Sequence, residues 1–393
     1  MTPDDILPLD ADRATLAGRL LDPELGPCIV HRRGDRLVDV TGRFPTMSDL
    51  LDAADPAAAI AEAPAGREWA LQAVIAASLA RAAGGPRLLA PCDLQAVKAC
   101  GVTFARSMLE RVIEERAKGD PSRAAAVREQ VSGIVGGALS SVRPGSPEAM
   151  RAKALLIEAG YWSQYLEVGI GPDAEVFTKA QPLSAVGFGA EIGILRSSRW
   201  NNPEPEVVLA VDSQGAVRGA TLGNDVNLRD IEGRSALLLG KAKDNNASCA
   251  FGPFIRLFDT GFGIADVRQM QLQLRVSGAA DRFVLDGYSS MAEISRDPLD
   301  LVAAAMGPEH QYPDGMMLML GTLFAPTEDR DVPGEGFTHK PGDRVEIAAD
   351  PLGRLVNTVG YADAIAPWTM GARALMASLA RRGLISAGAP ARS

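Results

Sequence analysis

The sequence predicts a β-rich α+β protein, a sandwich or roll preceded by a small N-terminal α/β unit and carrying a helical insert. Three observations predict it. From Tyr165 onward, eight short apolar segments follow one another with Gly and Pro turns between them. Helical patterning is read instead at 53–83 and 107–160. The signature of a doubly wound nucleotide fold is missing, because GFGAEIG near Gly187 lacks both the GxGxxG spacing and a following helix. No P-loop, HExxH, GxSxG or internal repeat is present either.

With 393 residues the chain is long enough for two domains. We expect a small N-terminal domain at 1–86 and a second, chemistry-bearing domain at 87–393. Residues 14–40 alternate apolar and polar between turns at Asp22-Pro23 and Gly34-Asp35, which predicts two or three short strands. Thr46-Met-Ser-Asp49 opens a helix by N-cap chemistry, and Ala53–Ala83 is alanine-rich and helix-prone. Gly84-Gly85-Pro86 closes this unit.

From Ser107 the pattern is helical, with Leu109, Val112, Ile113 and Ala117 on one side. Helix is expected again over Arg123–Val131 and Pro147–Ala159, as a lid or interface insert spanning about 107–160. Glu114 and Glu115 are expected on a solvated face, whereas Glu110 stands near the GVTF turn that begins the helix. The strands expected beyond the insert are Tyr165–Ile170, Glu175–Lys179, Val207–Val211, Met270–Val276, Arg282–Gly287, Met316–Leu320, Arg344–Ala348 and Arg354–Val359.

The chemistry concentrates in Trp200–Cys249. Pro203 and Pro205 enforce extended backbone, so Glu204 and Glu206, two apart, leave the same face. Asp212-Ser-Gln-Gly215 is a turn signal. With Gln214 and Gly215 as its central pair, Glu204 faces Asp225 across a hairpin. Three carboxylates at one strand end repel unless a cation sits between them. Hard oxygen donors suit Mg²⁺, with Mn²⁺ as the alternative, rather than zinc. The plainer reading of the same residues is a solvated, Pro-rich edge.

Composition narrows the partners. Forty Lys and Arg against 49 Asp and Glu give a formal charge of −9, which fits neither nucleic acid nor an anionic membrane. The four cysteines show no CxxC or framework spacing, as expected for free thiols in a reducing compartment. The acidic, polar start is not a signal peptide and no apolar run is long enough to span a bilayer, so a cytoplasmic protein is expected. His31, His310 and His339 do not cluster with carboxylates at metal-ligand spacing.

NPEPEVV, GNDVNLRD, AKDNNASC, LGTLFAP, HKPGDRVEI and LGRLVNTV, in this order, resemble the fumarylacetoacetate hydrolase superfamily, and the likeness covers roughly 87–360. The resemblance implies a mixed β-sandwich roll, Mg²⁺ held by Glu204, Glu206 and Asp225, and a homodimer or higher homo-oligomer acting on short 2-oxo acids. It also implies a catalytic lysine at Lys243, with Lys241 the less favoured candidate, Thr322 holding the substrate carboxylate, and Lys179 in the pocket. The family turn G-x-N-Y-x-x-H-x-x-E is met by Gly101 to Glu110, with Ser107 where the histidine belongs. Glu232 replaces the glutamine of many hydrolases.

Both departures point away from hydrolysis, because a serine hydroxyl cannot activate water near neutral pH. The pattern NDVNLRDIEGRS…AKDNNASCAFGP is most similar to the branch that dehydrates 2-keto-3-deoxy sugar acids. That resemblance implies conversion of a 2-keto-3-deoxy-pentonate to 2,5-dioxopentanoate, with Glu110 as acid/base group and Glu232 as its alternative. Glu232 in an ion pair with Arg229 or Arg234 is the plainer reading. Within the superfamily, the rival activities are acylpyruvate or diketo-sugar-acid hydrolysis and oxaloacetate decarboxylation.

Overall fold

The structure is a computed structural model describing residues 1–124, 126–128, 143–158, 160 and 162–385, without the side chains of 105–107 and 109. Its strands in chain order are β1 (Leu16–Asp22), β2 (Gly26–Arg33), β3 (Arg36–Asp39), β4 (Glu68–Ala70), β5 (Arg87–Leu89) and β6 (Ala96–Gly101). After the helical region come β7 (Glu175–Ala180), β8 (Glu191–Ile194), β9 (Pro205–Val211), β10 (Val217–Asp225) and β11 (Cys249–Leu257). The last are β12 (Gln271–Ser277), β13 (Val284–Ser290), β14 (Met316–Met319), β15 (Arg344–Ala349) and β16 (Gly353–Tyr361).

They form two mixed sheets. The larger has eleven strands in the order β4-β3-β2-β1-β11-β10-β9-β14-β6-β7, with β5 paired to β1; the smaller runs β13-β12-β15-β16-β8. Most pairs are antiparallel, but β14 with β6 and β16 with β8 are parallel. β1 hydrogen-bonds to both β5 and β11, so strands from either side of Gly84-Gly85-Pro86 share one sheet.

The central strand β9 shows how the layers are organised. Val207, Leu209 and Val211 enter the core shared with Leu272, Leu274 and Leu355 of the smaller sheet. Val208 and Ala210 point the other way, into a core with Met47, Leu50, Leu51 and Ile60. Those residues belong to helices Met47–Leu51 and Pro56–Ala61, which therefore cap the far face. Thr46 caps the first as expected, accepting from the Asp49 amide. By contrast, β12 alternates exposed and buried residues, leaving one face of the smaller sheet to solvent.

Two expectations are corrected. Tyr165–Ile170 is not a strand but lies in the helix Gln164–Ile170, capped by Ser163. Its buried residues, Tyr165, Leu166, Gly169 and Ile170, follow the helical period and pack on helix Ala105–Ala117. Cys249–Leu257, absent from the expected strands, is a nine-residue strand buried on both faces. Burial on both faces removes the alternation that marks a strand, and Gly252-Pro253 sits where its ladder with β10 shifts register. Of the insert, Ala105–Ala117 and Pro147–Glu158 are helices, and part of the expected helix Arg123–Val131 lies outside the described residues. Among the described residues, no helix is long and apolar enough to cross a membrane.

Candidate active site

The hairpin does what its sequence requires. Gly223 pairs with Glu206 and Asn224 with Pro205, and the Asp225 amide donates to the Glu204 carbonyl at 3.0 Å. The register is reached by an unforeseen route. The Asp212 amide donates to the Ala216 carbonyl, so three residues rather than two make the turn, and a bulge between Val217 and Gly219 restores the pairing. Glu204, Glu206 and Asp225 are thereby buried together, each offering an oxygen within 4.8 Å of the others.

Neighbouring groups fix each carboxylate. Lys243, at the end of helix Leu239–Lys243, lies 2.7 Å from Glu204 and 3.0 Å from Asp225. The Gly321 amide donates to Glu206 at 2.7 Å. Gly321 takes a positive φ of 86°, and a Cβ there would come within 2.0 Å of the Thr103 hydroxyl, so only glycine holds that amide in place. Thr322, the next residue, lines the same cavity.

The electrostatics are unbalanced. Burial, and then the charges of Asp225 and Glu204, push the Glu206 carboxyl well above its usual range. Burial also acts to raise Asp225, but Lys179 and Lys243 outweigh it and hold that carboxyl low. For Lys243 burial is outweighed by Asp225 and Glu204, which raise the ammonium group. Among the described residues, seven carboxyl groups and three basic side chains line the cavity, while Lys179 and Arg128 join it through ion pairs with Asp225 and Glu110. Acidic groups outnumber basic ones, an imbalance a divalent cation relieves, and an all-oxygen trio is the donor set Mg²⁺ or Mn²⁺ takes.

The opposite wall comes from helix Ala105–Ala117. Arg111 bridges three acids, lying 2.8 Å from Glu114, 2.7 Å from Glu204 and 2.8 Å from Glu232. Arg229, stacked 4.2 Å from the Trp200 ring, binds Glu114 at 2.7 Å and Glu110 at 3.3 Å, and donates to the Pro326 carbonyl. Glu114, expected in solvent, is 2% exposed because these two guanidiniums pay for its desolvation; they outweigh burial and hold its carboxyl low. Glu232 is an ion-pair residue, but its partner is Arg111 rather than Arg229 or Arg234.

The other predicted residues separate. Glu110 lines the cavity, yet its carboxylate is taken by Arg128, at 3.1 and 2.6 Å, and by Arg229. Lys179 is fully buried behind Asp225, its ammonium group spent on Asp225 and the Val226 and Lys243 carbonyls. Lys241 is exposed. Ser107 stands in the first turn of helix Ala105–Ala117, and its side chain lies outside the described residues. Among the described residues, no histidine lines the cavity.

Sequence reasoning missed Arg111 and Glu175. Glu175 begins β7 and lines the cavity, with its carboxyl pushed up to about 7 by burial and then by the charge of Glu232. A signal for it was present: Glu175, Phe177 and Lys179 alternate along one strand and share a face.

A family model described as "Fumarylacetoacetate (FAA) hydrolase C-terminal" matches residues 149–360. The chain is 30% identical over 185 residues to the "2-dehydro-3-deoxy-D-arabinonate dehydratase" of Saccharolobus solfataricus, covering 47% of this chain and 58% of that protein. It is 29% identical over 202 residues to the "Probable 2-keto-3-deoxyxylonate dehydratase" of Haloferax volcanii, covering 51% of this chain and 65% of that one. The similarity thus spans less than two thirds of either relative. A solved structure titled "2-keto-3-deoxy-D-arabinonate dehydratase complexed with magnesium and 2,5-dioxopentanoate" superposes with a TM-score of 0.61. At 20% identity, over 88% of this chain and 99% of that one, it shares the fold.

Proposed function

The chain belongs to the fumarylacetoacetate hydrolase family, and within it we propose a Mg²⁺-dependent hydro-lyase that dehydrates a 2-keto-3-deoxy-pentonate to 2,5-dioxopentanoate. The observation that carries this reading is the composition of the cavity: a buried trio of acids with a further, elevated carboxyl at Glu175, and no histidine among its described lining. Elimination needs a group that gives and takes protons, whereas hydrolysis needs a base that activates water. The two curated relatives and the magnesium-bound neighbour support the same reading through their names.

Glu204, Glu206 and Asp225 would hold the ion, which supplies the Lewis acidity that makes the C3 protons of a 2-oxo acid removable. Lys243 contributes a fixed positive charge beside the ligand set, where negative charge develops on the 2-oxo group. Thr322 offers a hydroxyl for the substrate carboxylate. Glu175 moves the proton: its carboxyl, at about 7, exchanges readily near neutral pH. It takes the C3 proton, that electron pair forms the C3–C4 double bond, and the C4–O bond breaks. The departing oxygen takes that proton back from Glu175 and leaves as water. Proton shifts along the carbon chain then give the C5 aldehyde. Glu110, already shared between Arg128 and Arg229, is poorly placed for this work.

The test is incubation of the purified protein with Mg²⁺ and a 2-keto-3-deoxy-pentonate, with an acylpyruvate and oxaloacetate in parallel. A dehydratase yields aldehyde from the first and little from the others. Pyruvate released from the acylpyruvate, with no aldehyde from the sugar acid, would overturn the assignment.

A further inference from the structure

Arg111 and Glu232 form a pair that the dehydration chemistry above leaves unused. Glu232 is 4% exposed and lies on helix Arg229–Glu232, facing the cavity. Arg111 approaches its Oε2 to 2.8 Å as an ion pair, without a hydrogen bond between them. Among the described residues, that oxygen is buried without an aligned hydrogen-bond donor. Such a buried acceptor is costly to leave unmatched, and its cost is recovered when a ligand brings the donor. The same guanidinium contacts Glu204 at 2.7 Å, so Glu232 stands one guanidinium away from the ligand set rather than within it.

We propose that Glu232, held in place by Arg111, accepts a hydrogen bond from the terminal hydroxyl of the substrate and so selects hydroxylated 2-oxo acids. This rests on the reading that 2-oxo acids bind at the acidic trio. A substrate anchored there by its carboxylate and 2-oxo oxygen extends its remaining carbons past the ligands. A hydroxyl at the far end donates to Glu232 Oε2. A 2-oxo acid with a methyl group there leaves the carboxylate buried and unmatched, and a site built around a polar partner discriminates strongly against the analogue lacking it. Arg111 is a positioning residue: by spanning Glu204, Glu114 and Glu232 it fixes where the acceptor points.

Two unreactive probes test this on the intact protein with Mg²⁺. Both 5-hydroxy-2-oxopentanoate and 2-oxopentanoate lack the C4 hydroxyl and cannot be dehydrated; they differ only in the terminal hydroxyl. Calorimetric titration should show the wild-type protein preferring the hydroxylated probe by about tenfold to a hundredfold. Glu232→Ala should abolish the preference while leaving 2-oxopentanoate affinity within about threefold. Glu232→Gln, which keeps the shape and an acceptor oxygen, should retain part of the preference. Arg111→Lys should narrow it.

Equal weakening of both probes in Glu232→Ala, or a preference that survives in it, overturns the proposal. So does equal affinity of the wild-type protein for the two probes, or binding of neither. Because the readout is binding, a Glu232-dependent preference without turnover of the sugar acid would leave this inference standing and defeat the dehydratase reading.

Discussion

Two buried charge clusters in this molecule invite comparison. At one end of the smaller sheet, where Asp281 joins β12 to β13 and Asp343 precedes β15, the Arg330 side chain is buried and bidentate to Asp343, while binding Asp281 at 2.9 and 3.1 Å and the Thr338 carbonyl at 2.9 Å. Lys340 and His339 add contacts to the same two acids. Burial acts to raise Asp343, but the hydrogen bonds from Arg330 outweigh it and hold the carboxyl at about 2. In the cavity the balance is reversed: Glu206, Glu175 and Glu232 all sit above their ordinary values, because burial and neighbouring acids exceed the cations available. The first cluster balances its acids with cations of the protein itself; the second holds more acid than its own cations offset. Burial of charge alone does not mark a functional site. The uncompensated remainder does.

The largest break in this contrast is removal of a metal ligand. Glu206→Gln should reduce Mg²⁺-dependent turnover by roughly a thousandfold or more, and should abolish the rise in melting temperature that Mg²⁺ gives the wild-type protein. Stability of the metal-free variant should match or exceed wild type, since one uncompensated buried acid is gone. Normal activity in Glu206→Gln would contradict the ligand assignment. Arg330→Met tests the complete cluster. It strands Asp343 without its principal partner and should cost about 3–5 kcal/mol in urea unfolding, with Mg²⁺ affinity of the folded fraction unchanged.

Glu175→Gln sharpens the contrast through both activity and pH. We expect kcat to fall about a hundredfold, with probe binding retained. The sign of its stability effect follows from its raised carboxyl. Below the ordinary value of 4.5 the group is protonated whether the protein is folded or not; above it, the folded state retains the proton up to about 7. Folded protein thus binds more protons between these values, and stability from this group is lost as pH rises through that window. Each unit of difference is worth about 1.4 kcal/mol, so Glu175→Gln should unfold less readily than wild type at pH 8 and show no such gain at pH 4. Equal effects at both pH values would remove Glu175 as the proton carrier.

What was legible in the sequence follows the range of the interactions. The cradle is local: Pro203, Pro205 and the Asp212 turn specify a hairpin, and hairpin pairing brings Glu204 to Asp225 without knowledge of the rest of the fold. The opposite wall is not local. Glu114 looks like a solvated helix residue until Arg229, 115 residues away in the chain, arrives to neutralise it. Tyr165–Ile170 failed for a related reason, since YLEVGI fits both periods and the packing partner decides. β11 escaped because a strand buried on both faces carries no alternation at all.

The smallest expected effect concerns Glu110, where the family resemblance and the geometry diverge. The resemblance gives it acid/base work at the end of the family turn. The structure surrounds its carboxylate with Arg128 and Arg229, so its chemistry is that of the Arg330 cluster rather than of the cavity. Glu110→Gln keeps the shape and leaves Arg229 with Glu114 and the Pro326 carbonyl. Arg128 is 31% exposed at its side chain and can turn to water. The change should therefore cost less than breaking the Arg330 cluster, about 1–3 kcal/mol in stability, lower kcat less than about tenfold, and leave the pH–rate profile in place. A general base cannot be neutralised so cheaply. A hundredfold loss with a displaced pH profile would return the proton transfer to Glu110 and make Glu175 part of the pocket wall.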